Sequence, residues 1–241
     1  PGLGTIQPSQ ADYFQAVKGG GHGDYHLIVL APHSVQEMYD FVGLAFDLAF
    51  KYRNPAMILA DGVIGQMMEK VVLSAPQPRW SDEYIAHEHG AWALTGKPAA
   101  RRRNVITSVE LDSAIQERFN LKLQEKYDTI RRDEVRYEAT LCDDADYVLV
   151  AYGSSARIAM KVVETAREEG LKVGLLRPVT LFPFPVEAIR ELSHRVKGFL
   201  SVEMSCGQMV EDVALAAECR VPVRHYGRVG GIVHSPNEVY E

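Results

Sequence analysis

Apolar residues along the chain alternate between short continuous runs and stretches in which they recur every three or four positions, the signature of buried strands and amphipathic helices in turn. The plainest case is DYVLVAYGSSARIAMKVVETAREEGLKVGLLRPVTLFPFP, residues 146–185. Residues 147–152 are continuously apolar, as suits a strand covered on both faces of a parallel sheet. Gly153-Ser154-Ser155 then turns the chain and sets hydroxyls at a helix start. Ala159, Val162, Val163 and Ala166 mark one helical face, and Gly170 stands where a left-handed C-terminal residue is wanted. Residues 172–176 give the next strand, ended by Arg177-Pro178. This is a β-α-β unit, whose crossover is expected to be right-handed. Pro185 opens a helix with Ile189, Leu192 and Val196 inward, and residues 198–203 form another strand. Residues 208–217 give a helix with Met209, Val210, Val213 and Ala217 inward, and residues 221–226 a last strand. The alternation predicts a doubly wound parallel-sheet domain over residues 144–241.

The first part of the chain repeats the pattern less completely. Ser9 and Asp12, three apart like a capping pair, precede a short helix containing Tyr13, Phe14, Ala16 and Val17. Residues 26–30 read as a strand. Ser34 and Glu37 form a capping-box pattern ahead of a helix with Met38, Phe41, Val42, Ala45, Leu48, Ala49 and Tyr52 toward the core. Asn54-Pro55 ends that helix, and residues 56–60 are a strand closing at Asp61-Gly62. Two strands are too few for a closed domain. Residues 74–104, with Pro76, Pro78, Trp80 and Pro98, read as a mostly irregular connection, followed by a charged helix with Leu111, Ile115, Phe119, Leu123, Tyr127 and Ile130 on one face. The chain opens on Pro1, with no Met, directly in a Gly-rich loop; upstream residues are therefore expected to be missing, and with them the partners of an exposed strand edge.

Charge and cysteine content narrow the function classes. A formal net charge of −6 argues against nucleic acid as a partner, which requires a basic face. Cys142, Cys206 and Cys219 are spaced for neither a disulfide framework nor a cluster motif, and buried inert thiols are expected for Cys206 and Cys219. That cysteine usage suits a reducing, cytoplasmic setting, and no apolar run is long enough to span a bilayer, so no membrane partner is expected.

Candidate chemistry is sparse. The Gly153-Ser154-Ser155 turn sits where a phosphate is cradled in nucleotide-binding folds, but it lacks G-x-G-x-x-G, and Arg177 stands where an acidic residue would be needed. A structural turn is the better reading. His87-Glu88-His89 has the wrong spacing for the H-E-x-x-H helical metal pair. Arg101-Arg102-Arg103 reads as a solvated charge run. The Gly-rich opening is the best candidate site. Gly2, Gly4, Gly19, Gly20, Gly21 and Gly23 permit close approach of backbone to a ligand, and Gln7, Gln10, Asp12, His22 and Asp24 supply polar groups among them. A flexible loop is the other reading of the same residues.

In combination, the segments PGLGTIQPSQADYFQAVKGGGHGD, LAFKYRNPAMILADG, YVLVAYGSSARIAMKVVETAREEGLKVGLLRPVTLFPFP and SVEMSCGQMVEDV resemble the α subunits of 2-oxoacid:ferredoxin oxidoreductases, the branched-chain form in particular, over nearly the whole length. The resemblance implies an α/β chain with the C-terminal part of a thiamine diphosphate pyrimidine-binding domain at residues 1–73, a linker with a charged helix at 74–143, and a transketolase C-terminal-like domain at 144–241. It further implies oxidative decarboxylation of a 2-oxo acid on thiamine diphosphate, transfer of the acyl group to coenzyme A and reduction of ferredoxin. The chemistry is the cofactor's, and protein positions it.

The family's catalytic Glu and substrate Arg lie upstream of the matched region, so the resemblance assigns no catalytic residue here. It does carry the loop over. Many relatives read G-P-S-T-G-x-P-T where this chain has Gly2, Leu3, Gly4, Thr5, Ile6 and Gln7. Leu3, with Ile6, is expected to line a pocket for an aliphatic side chain, where a methylene gives about 1–3 kcal/mol of selection and preference is broad. Gln10 and Asp12 match the family's Q-x-D, and His22 and Asp24 its H-G-D/E. No G-D-G motif with a downstream Asn is present to hold Mg²⁺ and diphosphate, and no cysteine set for an iron–sulfur cluster. Both are expected on partner subunits of β, γ and δ type. The alternatives are the β subunit of a lipoamide-linked 2-oxo acid dehydrogenase E1, which reads L-R-T-L-x-P-x-D where this chain has LRPVTLFPFP, and a non-catalytic assembly module.

Overall fold

A computed structural model describes residues 7–76, 80–94, 96 and 104–241. These fall into two units, one within residues 1–71 and 123–241 and one within residues 72–122.

The core of the larger unit is a five-stranded sheet. Its strands are β3 (Tyr137–Thr140), β4 (Tyr147–Ala151), β5 (Val173–Pro178), β7 (Gly198–Glu203) and β8 (Val223–Gly227), in the order β3-β5-β4-β7-β8. All neighbours are parallel except β3, which runs antiparallel to β5 on the edge. Side chains explain the continuous apolar runs. Val148 and Val150 of β4 point into one core cluster, Leu149 and Ala151 into another on the opposite face. Helix α6 (Gly153–Glu168) and the short α9 (Pro236–Tyr240) cover the second face through Ala159, Val162, Val163 and Val239. On the first face lie α7 (Val186–Ser193), with Ile189 and Leu192, and α8 (Met209–Ala216), with Met209 and Val213. Helices on both faces of a mostly parallel sheet make this a doubly wound α/β arrangement.

A smaller sheet has the order β2 (Ala56–Ile58), β1 (Ile28–Leu30), β6 (Thr180–Phe182). β1 and β2 are parallel, whereas β6 is antiparallel to β1. The chain therefore passes from β5 of the larger sheet into the smaller one across a single residue, Val179. Helix α1 (Tyr13–Val17) precedes β1, α2 (Val35–Tyr52) joins β1 to β2, and α3 (Gly62–Gln66) follows β2. Only Phe41 and Leu48 of the expected α2 core face are fully buried, and Val42 is 48% exposed.

In residues 72–122 the expected irregular stretch contains helix α4 (Asp82–Glu88), capped by Ser81, whose Oγ accepts from Tyr84 N at 3.1 Å. Helix α5 (Ser113–Asp133) begins in this unit and ends in the larger one. Leu111 precedes the helix, and Ile115 and Phe119 are exposed; the predicted apolar face is fully buried only at Tyr127 and Ile130.

Two carboxylates, Glu37 half-buried and Glu134 buried, tie α2 to its surroundings. Glu37 caps less of its own helix than the sequence pattern suggests: Ser34 Oγ accepts from Glu37 N, but the Glu37 carboxylate accepts from His33 N and grips Arg177 at 2.7 and 3.0 Å. Arg177, buried on β5, also donates to Glu138 of β3 at 2.9 Å. Burial opposes ionisation of Glu37, yet the bonds from His33 and Arg177 outweigh it and hold the carboxyl at about 2. Glu134, just after α5, accepts from Lys51 at 2.6 Å, Tyr52 at 2.7 Å and Arg136 at 2.8 Å. Burial is again overcome by these partners, and its carboxyl too lies at about 2.

Candidate functional site

Parallel strands place the carboxyl ends of β4 and β7 side by side. The order reverses between them, because β5 lies beyond β4 on one side and β8 beyond β7 on the other. In open α/β sheets the crevice at this switch point ordinarily takes the ligand. Here it holds Gln10. Its Nε2 donates to Tyr152 O at 2.9 Å, and its Oε1 accepts from Ser155 Oγ at 2.8 Å and Met204 N at 2.9 Å. Gln10 N donates to Met204 O at 2.9 Å, and Tyr152 Oη donates to Gln10 O at 3.2 Å. Burial, followed by the negative charges of Glu203, Asp61 and Asp12, pushes the Tyr152 phenol well above its ordinary range.

The start of α6 is engaged in the same way. Asp61 Oδ1 accepts from Val63 N and Ile64 N at 3.1 and 3.2 Å, capping α3, while Oδ2 accepts from Ser154 N at 2.8 Å. The helix start considered for a phosphate thus carries the chain's own carboxylate. Neither serine of the turn caps α6: the N-cap is Tyr152 and makes no side-chain cap bond. Glu203, fully buried at the end of β7, caps α8 by accepting from Gln208 N, Met209 N and Val210 N, each at 3.0 Å, and from Ser201 and Ser205. Gln208 then ties α8 to the opening segment, accepting from Phe14 N at 2.8 Å and donating to Ala11 O at 2.8 Å. Tyr13 donates to Asp212 at 2.6 Å.

Of the expected site residues, Gln7, Gln10 and Asp12 lie on the segment docked at these strand ends. Asp12 is exposed and is the N-cap of α1 without a side-chain cap bond; Ser9 Oγ instead accepts from Ala11 N at 3.2 Å. A nook of about 20 Å³, room for one water, remains between Ser9, Gln10, Asp12, Asp61 and Tyr152. His22 and Asp24 are exposed on the turn between α1 and β1, where Gly20 N donates to Tyr25 Oη at 2.8 Å and Gln124 donates to Asp24 O at 3.2 Å. Gly2, Leu3, Gly4, Thr5 and Ile6 lie outside the described residues, as does the Arg101-Arg102-Arg103 run. Asp61, Tyr152, Glu203 and Gln208 were not singled out as site residues from sequence; the only signal for Asp61 was its Asp-Gly pair after a strand.

Other candidates separate. His87 bonds its neighbour Glu88 at 2.7 Å, whereas the His89 ring packs among Trp80, Tyr84 and Trp92 at 5.1–5.8 Å, so the two imidazoles do not converge. Cys206 and Cys219 are exposed, contrary to expectation, because both lie in the turns flanking α8 rather than on its inner face; Cys142 is the buried thiol. A cleft of about 810 Å³ lies beside Phe182 and Phe184. The His26 ring stacks on Phe182 there at 4.2 Å, and Arg131 lies over the same ring at 5.3 Å. Rim cations are paired, Arg131 with Asp128 and Lys18 with Asp212.

Thiamine diphosphate, which the resemblance implies, brings a hard cation that wants several oxygen ligands beside the phosphates. Among the described residues no group of three His, Cys, Asp or Glu is placed to hold a metal ion, and the backbone amide of Ser154 at the α6 start is taken by Asp61. The described residues do not fit the Mg²⁺-diphosphate end of that cofactor. No described helix is long and apolar enough to cross a membrane.

Comparison with known proteins places this architecture. Residues 1–129 match the family model "Pyruvate flavodoxin/ferredoxin oxidoreductase, thiamine diP-bdg", and residues 145–239 match "Pyruvate:ferredoxin oxidoreductase core domain II". The chain is 53% identical over 232 residues to ketoisovalerate oxidoreductase subunit VorB of Methanothermobacter marburgensis, covering 96% of this chain and 63% of that protein. It is 51% identical over 242 residues to VorB of Methanothermobacter thermautotrophicus, covering all of this chain and 66% of that one. Identity to 2-oxoglutarate synthase subunit KorA of Methanocaldococcus jannaschii is 33% over 267 residues, 99% of this chain and 69% of the relative. The chain thus spans somewhat under two-thirds of the length of the VorB proteins it matches. A solved 2-oxoglutarate:ferredoxin oxidoreductase from Magnetococcus marinus, with 2-oxoglutarate, coenzyme A and succinyl-CoA bound, superposes with a TM-score of 0.73 at 19% identity, over 98% of this chain and 44% of that one, a likeness of fold. Family models over both parts of the chain and relatives of this identity show that it belongs to the 2-oxoacid:ferredoxin oxidoreductase family.

Proposed function

We propose that this chain is part of a subunit of a thiamine-diphosphate-dependent oxidoreductase that converts a branched-chain 2-oxo acid and coenzyme A to acyl-CoA and CO₂, with two electrons passing to ferredoxin. The observation that supports this best is the 51–53% identity to ketoisovalerate oxidoreductase subunits over nearly the whole chain. In this reading residues 1–73 are the C-terminal part of a pyrimidine-binding domain, 144–241 a transketolase C-terminal-like domain, and 74–143 their connection. Partner subunits hold the Mg²⁺-diphosphate and the iron–sulfur clusters, and the assembly is cytoplasmic. The contribution of the described residues is architectural: Gln10 and Asp61 dock the segment that begins at Gln7, so that Gln7 is presented toward a shared site. Selection for the substrate's aliphatic end is assigned to Leu3, which lies outside the described residues.

The test is turnover of the assembled enzyme with a panel of 2-oxo acids and an electron acceptor. Reduction is expected with 3-methyl-2-oxobutanoate ahead of 2-oxoglutarate, and Leu3→Thr is expected to narrow that preference. No reduction with any 2-oxo acid overturns the proposal. The internal engagement of Gln10 favours a second reading, a purely assembling subunit. Normal turnover of Gln7→Ala, Asp12→Ala and His22→Ala would select it.

A further inference from the structure

We infer that the switch-point crevice of the larger sheet is a socket for the chain's own segment 7–12, and that Gln10 and Asp61 are positioning residues for the site proposed above. The inference rests on that reading for its catalytic consequence but not for its structural content. Gln10, 3% exposed, fills the place where an open α/β sheet would take a ligand, and every polar atom of its side chain is paired there. Asp61 fills the neighbouring helix start. Three glycines, the first residues of α3 and α6 and one in the turn before α9, are shaped to this segment and its neighbour Asp61. A Cβ on Gly62 would stand 3.3 Å from the Gln7 carbonyl and from Pro8 N. One on Gly153, whose φ is +57°, would stand 2.6 Å from Asp61 Oδ2 and 2.9 Å from Gln10 Nε2. One on Gly231 would stand 2.7 Å from Gln7 Oε1. Close approach from three sides, with the central amide paired throughout, fixes where Gln7–Asp12 lies rather than merely burying it.

Gly62→Ala separates positioning from stability. Gly62 is the first residue of α3 and needs no left-handed backbone, so alanine there favours the helix, and its one tight approach is to the backbone of Gln7 and Pro8. The segment must yield by a few tenths of an ångström. Displacements of this scale act on reaction geometry, so kcat/KM for 3-methyl-2-oxobutanoate is expected to fall about fivefold or more in the assembled enzyme, with Tm unchanged or higher. Gln10→Ala strips Tyr152 O, Ser155 Oγ and Met204 N of their partner, so it is expected to lower kcat/KM likewise, but with a lower Tm and faster amide exchange at Phe14, whose N–H is held by Gln208. Wild-type KM and kcat in Gly62→Ala overturn the positioning role. Unchanged exchange at Phe14 in Gln10→Ala overturns the socket. If the wild-type assembly reduces no acceptor with any 2-oxo acid, the proposed function falls, and the positioning role with it; the socket is then decided by exchange alone.

Discussion

Replacing Glu37 by glutamine gives the sharpest test of how the two sheets are held together. The carboxylate bridges His33 and Arg177, 140 residues away, and Arg177 reaches on to Glu138. A carboxyl held at about 2, against an ordinary 4.5, corresponds to about 3 kcal/mol of stabilisation at pH 7. Since the folded value lies below the unfolded one, the unfolded chain takes up the proton first as pH falls. The contribution is whole above about 4.5 and drains away toward 2. Urea unfolding of wild type and Glu37→Gln at matched m-values should therefore show a gap of about 3 kcal/mol at pH 7, shrinking to about 1.4 kcal/mol at pH 3. A gap that does not change between those pH values would refute the assignment of the stabilisation to the ionised carboxylate. Arg177→Leu should cost as much or more at pH 7, about 3–5 kcal/mol, because it leaves the half-buried Glu37 carboxylate without its two-toothed partner, while the exposed Glu138 returns to water.

Three further outcomes follow from the same geometry. Glu134→Gln should lose about 2–3 kcal/mol at pH 7 by urea unfolding, with the loss fading between about 4.5 and 2, since the carboxylate of Glu134 serves Lys51, Tyr52 and Arg136 at once. Gly153→Ala should cost about 3 kcal/mol, combining a left-handed backbone with collision against Asp61, and Asp61→Gly in the same chain should recover part of it in a double-mutant cycle. Iodoacetamide at pH 8 followed by mass spectrometry should label the exposed Cys206 and Cys219 and spare Cys142, whose thiol is buried and pushed up to about 11, until the chain is unfolded.

Local pattern made the larger sheet readable. Residues 148–151 are apolar on every position because β4 buries alternate side chains in two different clusters, and that double burial is a property of the strand itself; Tyr147, at its start, is exposed. Strand β3 was missed because Tyr137–Ala139 are exposed on an edge and carry no apolar run. Strand β6 escapes the pattern because the four residues between Pro178 and Pro183, three of them in the strand, give too little to separate from a turn. The candidate site was legible in composition but not in arrangement. Gln10 could be singled out from its neighbours, but its partners Tyr152, Ser155 and Met204 are 142, 145 and 194 residues away. The residue that completes the α6 start, Asp61, is 93 residues from Ser154, and no spacing rule connects them.

The placement of β6 has a consequence for how the chain comes to be folded. Strands β1 and β2 are made early, but the strand on the other side of β1, among the described residues, is synthesised roughly 120 residues after β2 ends. At about 5–20 residues per second, the early pair waits on the order of 6–24 s at the ribosome with one flank of β1 unpaired. Non-local pairings of this kind form late and slowly. The nascent N-terminal part is thus the stretch most in need of protection from association through its open strand, and the LFP segment that ends this vulnerability arrives only once β4 and β5 have been made.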